Sequence, residues 1–167
     1  MHRAKLEAAV REILKRDTTG HDIHHSMRVY NLAKAIADGE GWAFDDDILF
    51  ATAMLHDSGH ESSRLAGDKY LLKHMAYGAE IAGKILSEVG FPAEKIPVVL
   101  EGVLKHDKKP WTTPEKVQTN VKEVMLIQDA DNLEAMGILG MVRVLTFNIN
   151  AGTPLYKPEL SFTENLA

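Results

Sequence analysis

Residues 48–55, Ile-Leu-Phe-Ala-Thr-Ala-Met-Leu, are apolar almost without interruption and run directly into His56-Asp57. The acidic triplet Asp45-Asp46-Asp47 before this run suits the positive end of a helix dipole, and Gly59 after it suits a helix end. A helix over Ile48 to Asp57 with no polar face has to be covered on every side. The remaining elements must therefore pack around it, and an imidazole and a carboxylate are carried to the tip of the innermost element. Burying such a pair is costly unless it is hydrogen-bonded or ligates a cation.

The rest of the chain reads as helices able to supply that cover. Leu6, Val10, Ile13 and Leu14 form a helical stripe over residues 4–15, ended by Asp17-Thr-Thr-Gly20. Val29, Leu32, Ala33, Ile36 and Ala37 mark a second helix over about 23–38, ended by Gly39 and Gly41. Residues 61–69 read as a mobile loop. A long helix is expected over 70–89, and another from Phe91-Pro92 to His106, with Pro97 tolerable only in its first turns. Lys108 to Pro114 reads as a loop. A last helix spans about 120–136, either ending there or continuing past Gly137 and Gly140, with an irregular tail from Asn150. No period-two strand pattern, repeat or linker appears. The expectation is an all-α single domain over residues 1–167, with its functional core at about 20–145.

With 167 residues the chain can bury a core without staples. It has no cysteine, which excludes disulfides and thiolate ligands. The net charge of −5 and the lack of a basic stripe argue against a nucleic-acid polymer as partner. The longest apolar runs are too short to span a bilayer, and the N-terminal MHRAKLEAAVREILKR lacks the apolar core of a signal peptide. A cytoplasmic location is expected, and nothing in the sequence opposes a homo-oligomer.

Histidine is unusually well placed. Chance pairing of eight histidines with eleven aspartates gives roughly half of one His-Asp dipeptide; the chain has His21-Asp22, His56-Asp57 and His106-Asp107. Taken alone, each has an ordinary reading: His56 a satisfied core histidine beside a capping Asp, His25 a surface or capping residue, Asp22 an N-cap. Asp129 and Asp131, however, lie mid-helix among Ile127, Ala130, Leu133 and Met136, which leave little room for a solvated face. Two positions apart on a helix, they diverge by about 200°, so only one of them faces His56.

The order His…His-Asp…Asp, carried by HSMRV, MLHDSGH and DADNLEA, resembles the HD superfamily of metal-dependent phosphohydrolases. A stand-alone subgroup is matched further by His21-Asp22, by the stretch from Gln128 to Arg143, and by Gly152 to Glu159. The resemblance implies an HD-type helical bundle of about six or more helices, with His25, His56, Asp57 and Asp131 as metal ligands. It is also similar to the longer HD pattern, in which two middle histidines, here His74 and His106, hold a second ion with Asp57 bridging. The ordinary alternatives are a surface His74 and a helix-terminal His106.

Mixed imidazole and carboxylate donors suit Fe, Mn, Zn, Ni or Co better than Mg. The implied activity is hydrolysis of a phosphate ester or anhydride by a metal-activated water. The implied partner is a small phosphorylated substrate, a nucleotide by family implication. The absence of a G-x-S-x-G elbow agrees with a water nucleophile. Asp57 and His60 are the candidate catalytic residues, His60 alternatively being a loop residue in solvent. Arg28 either pairs with a carboxylate, such as an Asp, or holds phosphate. Lys108 and Lys109 either meet substrate phosphates or lie solvated. His21-Asp22 either orients a ligand or serves only as a cap. The competing class is a metal- or nucleotide-binding sensor without turnover.

Overall fold

The computed structural model describes residues 2–68, 73–107, 119–152, 154 and 156–161. Among these residues there are eight helices and no strand: α1 (His2–Leu14), α2 (Ile23–Glu40), α3 (Asp46–Leu55), α4 (His60–Leu65), α5 (His74–Glu88), α6 (Ile96–Lys105), α7 (Lys122–Met136) and α8 (Ile138–Ala151). None is long and apolar enough to cross a membrane.

Helix α3 is the axis of the bundle, packed by α1, α2, α6 and α7. Every residue from Ile48 to Leu55 is buried, as its all-round apolar surface requires. Its start is set by Asp45, whose side chain accepts the backbone N–H groups of Asp47 (3.0 Å) and Ile48 (3.2 Å). Arg3 of α1 reaches Asp46 (2.9 Å) and Asp47 (2.7 Å), tying the first helix to the head of the central one.

Helix α2 begins where Asp22 accepts the N–H of His25 (3.0 Å) and ends at Gly41 in the left-handed region. That N-cap fixes His25 in the first turn.

Two close approaches set the depth of the site. A Cβ on Gly102 of α6 would lie 2.4 Å from Thr52 Cγ2 of α3. One on Gly59 would lie 1.9 Å from the carbonyl oxygen of His74. At both points only glycine lets the elements meet.

Four expectations are corrected. Residues 60–65 form α4 instead of a loop: only His60 and Ser63 are buried, so no apolar stripe announced it, and packing on α5 holds it. Phe91 to Lys95 is a turn, and α6 starts at Ile96 with Pro97 in its first turn, where a missing N–H costs nothing. The last long helix stops at Gly137, whose extended backbone separates α7 from α8. Leu133 and Met136 are 47% and 77% exposed, so α7 does have a solvent face there. Lys108 to Pro114, read as a loop, lies outside the described residues. Helix α8 packs on α7 and leaves Ile138, Met141, Val142 and Ile149 exposed.

Candidate metal centre

Two helices end in the same local device. His56 follows the last residue of α3, and its Nδ1–H donates to the carbonyl of Ala53 (2.8 Å). His106 follows the last residue of α6, and its Nδ1–H donates to the carbonyl of Val103 (2.8 Å). A carbonyl only accepts, so each Nδ1 carries the proton and each Nε2 presents a lone pair. Both imidazoles are buried, at 0% and 2% exposed. Tethering of the far ring nitrogen is the usual way a metal-ligating histidine is aimed.

The lone pairs converge with groups from the other helices. His25 Nε2 lies 3.1 Å from His56 Nε2, 3.2 Å from Asp57 Oδ2 and 3.4 Å from Asp131 Oδ1. His56 Nε2 is 3.1 Å from Asp57 Oδ2. A second group stands beside it: His74 Nε2 is 3.1 Å from His106 Nε2, which is 3.4 Å from Asp57 Oδ1. The two oxygens of Asp57 thus face two different imidazole pairs. Donor atoms roughly 3 Å apart match the edges of a coordination shell built on metal–ligand bonds of about 2.0–2.2 Å.

The residues fit a divalent cation on two observations. Asp131 Oδ1 is buried and makes no well-formed hydrogen bond among the described residues, only the 3.4 Å approach to His25 Nε2, an expensive arrangement for a carboxylate that a cation would complete. Imidazole nitrogens also confront one another at 3.1 Å twice over, which two lone pairs tolerate only with a proton or a cation between them.

The electrostatics carry the same demand. Burial disfavours the His25 imidazolium, but Asp131, Asp57 and Glu134 outweigh it and raise its pKa to about 10. Burial likewise opposes charge on His106, and Asp57 reverses this and raises it. Burial pushes Asp57 upward, yet the surrounding histidines hold it well below the usual carboxylate range. Asp131 is also lowered, with His25 overcoming its burial. A cluster this rich in carboxylate requires positive charge, and imidazole donors with carboxylates suit a borderline transition metal better than Mg.

Glu134 was not singled out by sequence reasoning, and Arg143 only as the last residue of a matched stretch, without a role. Glu134, 6% exposed, faces His25 Nδ1 at 3.3 Å. Arg28 donates to its Oε1 from Nε (2.8 Å) and Nη2 (2.7 Å), and Arg143 of α8 reaches its Oε2 and lies against the His25 ring. Arg28 therefore pairs with a carboxylate, but with a Glu and not an Asp. The available signal was the helical spacing: Glu134 lies three residues beyond Asp131, on the same face of α7.

The other named residues divide. Asp129 is exposed, while Asp131 turns inward to His25. His60, at the head of α4, is 9% exposed, with Nε2 3.2 Å from Asp57 Oδ1 and Nδ1 buried without a partner; it does not project into solvent. Asp22 caps α2 through the backbone N–H of His25, whereas the His21 ring lies 4.3 Å from that of His60, centroid to centroid. Lys108 and Lys109 lie outside the described residues.

Residues 22–136 match the HD domain family. Among curated proteins the chain is similar to a protein of Clostridium beijerinckii, 31% identical over 90 residues (53% of this chain, 55% of that one). It is also similar to the cyanamide hydratase DDI2 of Saccharomyces cerevisiae, 24% identical over 100 residues (58% and 44%). The chain spans about half the length of these curated relatives.

Among solved structures it resembles a protein of Lactobacillus plantarum (TM-score 0.75, 22% identity, 96% of this chain and 68% of that one). A predicted HD superfamily hydrolase from an uncultured Thermotogales bacterium gives a TM-score of 0.64 at 28% identity (86% and 74%). Bacillus subtilis YpgQ, solved with ADP, gives 0.62 at 23% identity (95% and 74%). With the family match running from the cap of α2 to the last residue of α7, the chain belongs to the HD domain family.

Proposed function

We propose that the chain is a metal-dependent phosphohydrolase acting on a small phosphate ester or anhydride, of which a nucleotide is the leading candidate. The observation that carries this reading is the division of Asp57, whose two oxygens face separate histidine pairs. His25, His56, Asp57 and Asp131 would hold one divalent cation, and Asp57, His74 and His106 a second. Fe, Mn, Zn, Ni and Co are the metals whose preferences suit this donor set. Such a pair supplies a water made acidic near neutral pH and a clamp for phosphoryl oxygens.

The chain's own groups do the rest. Asp57 sets the spacing between the two sites and carries their shared negative charge. His56 and His106 keep their Nε2 lone pairs aimed inward through their carbonyl tethers. His60 stands beside Asp57 with one ring nitrogen unpartnered, placed to exchange a proton with the nucleophile or leaving group. Arg28 is spent on Glu134, so it supports His25 more readily than it holds phosphate. The solution of the related YpgQ with ADP supports the nucleotide assignment.

The resemblance to yeast cyanamide hydratase favours a second reading, in which the water adds to a nitrile carbon. A shared carboxylate between two imidazole pairs is better suited to phosphorus, where two cations screen the charge of an in-line displacement.

The test is product release, p-nitrophenol from p-nitrophenyl phosphate and bis-p-nitrophenyl phosphate and phosphate or pyrophosphate from a nucleotide panel, with cyanamide as a parallel substrate, over Mn, Fe, Co, Ni and Zn. Ester or anhydride hydrolysis that is lost in Asp57→Asn supports the proposal. Cyanamide turnover alone transfers the function to the hydratase reading. Nucleotide binding with no product from any substrate leaves a sensor.

A further inference from the structure

Beside the centre, Asp17, His21 and His60 each bring one ligand-type atom within 4.8 Å of those of the other two. Asp17 and His21 belong to the turn between α1 and α2, and His60 heads α4. Hydrogen bonds decide which of their atoms are left to meet.

The Thr19 hydroxyl donates its one hydrogen to Asp17 Oδ2 (2.8 Å). Toward His21 Nδ1, 2.7 Å away, it must then accept, so Nδ1 carries the proton and Nε2 the lone pair. This is the tether of His56 and His106 with a hydroxyl in place of a carbonyl. His60 Nε2 lies 3.2 Å from Asp57 Oδ1, an oxygen that only accepts, which puts the proton on Nε2 and the lone pair on Nδ1. That Nδ1 is buried without a hydrogen-bond partner among the described residues, in a side chain that is itself nine-tenths buried. Asp17 accepts the N–H groups of Thr19 (2.9 Å) and His21 (2.8 Å) on Oδ1 and the hydroxyl on Oδ2. A carboxylate has about four acceptor positions, so one remains.

Two imidazoles of fixed tautomer and one carboxylate are a recurring donor set for a divalent transition metal. Asp17 and His60 also line a cavity with room for about one water, which would give an ion a solvent ligand and a way in. Arg16 and Arg64 line it too, matched in formal charge by Asp17 and Glu61. An ion there would be held by its donors alone, more weakly than at the centre, where two carboxylates face the imidazoles.

We propose that Asp17, His21 and His60 form a further, weaker site for a divalent transition-metal ion, which engages His60 Nδ1 when it binds. That nitrogen is the one assigned above to proton exchange, so filling the site should slow turnover. The effect on turnover rests on the phosphohydrolase reading, whereas the count of bound ions does not.

The experiment is equilibrium dialysis of the full chain against rising free Co(II), with bound metal read by elemental analysis at each concentration; desalting would strip a weak ion. Asp17→Asn and His21→Phe should each bind one ion fewer than the parent at saturation, whether the centre holds one ion or two. Thr19→Val keeps all three donors and loses the tether. It should bind the full number, the last ion about 10- to 100-fold more weakly. Should Asp17→Asn not fold, His21→Phe, which keeps a ring beside His60, and Thr19→Val carry the test. Turnover of the parent should rise as the centre fills and fall at higher Co(II), and in Thr19→Val the fall should move to at least about tenfold higher metal.

Equal saturation counts in parent, Asp17→Asn and His21→Phe overturn the proposal. So does a Thr19→Val protein that binds its last ion as tightly as the parent. An ion lost from both variants, with no turnover of any substrate by the parent, would retain this site and remove the hydrolase. Turnover with equal counts would do the reverse.

Discussion

Glu134 faces Nδ1 of His25 at 3.3 Å from within a cage of two arginines, Arg28 and Arg143. Glu134 and Arg143 both meet the far nitrogen of this imidazole, and its Nε2 faces Asp57 and Asp131. Burial works against the charge of Glu134, yet His25 and the arginines hold its pKa down at about 2, so it stays ionised. The Glu134→Gln variant keeps the shape and removes the charge. Metal affinity, measured by competition with a chelating dye, should fall by about 10- to 100-fold. A variant that binds metal as the parent does would show that Glu134 serves only to pair the arginines.

The division of Asp57 between two histidine pairs predicts stepwise metal content. His74 belongs to the second group, its Nε2 3.1 Å from that of His106. His74→Ala should lower the metal count per chain from two to one, read by elemental analysis after desalting. Asp57→Asn should lower both, since it contributes an oxygen to each group. An unchanged count of one in parent and His74→Ala would leave a mononuclear centre built on His25, His56, Asp57 and Asp131.

Glycine at position 59 is required by the backbone, independently of chemistry. A Cβ there would come within 1.9 Å of the His74 carbonyl oxygen and 2.4 Å of the Gly78 nitrogen. Neither neighbour is a flexible side-chain end, so α5 must shift away from α4 and take His74 with it. Gly59→Ala should cost on the order of 1–3 kcal/mol in a urea melt. The second metal should weaken more than the first, because His25 and His56 are carried by other helices. Parent-like stability would mean that α4 and α5 adjust freely at this point.

These outcomes bear on what the sequence makes legible. The central helix could be read because an all-apolar run has one solution, and the His-Asp at its tip because burial makes that pair costly. The expected all-helical bundle is the one observed. Helix α4 could not be read: two buried residues in six leave no periodic signal, and a contact with α5 decides it. The exposure of Leu133 and Met136 was misjudged because α7 ends at Gly137, and among the described residues that face of its last turns stays exposed. The roles of Glu134 and Arg143 were passed over because pairing between α7 and α8 across a helix break is a three-dimensional fact. The chemistry of the six inward groups was visible as residue types, whereas the carbonyl tethers that aim His56 and His106 appear only in the fold.

The head of α3 gives the last prediction, for acid stability. Burial raises the Asp46 carboxyl and Arg3 and Tyr30 more than offset it, while at Asp47 the Arg3 hydrogen bond dominates; both pKa values are lowered. A carboxylate whose folded pKa lies below its unfolded value stabilises the fold above the unfolded value, near 3.8–3.9. That stabilisation is lost as the pH falls through the lowered folded value. In Arg3→Met the main cation is gone, so the folded values return toward the unfolded ones and this part of the acid dependence shrinks. The difference in urea midpoint between parent and Arg3→Met should therefore be largest near neutral pH and narrow below about pH 4. A difference that stays constant down to pH 3 would show that Arg3 acts through its packing over Phe50, 5.1 Å from the ring centroid, and not through its charge.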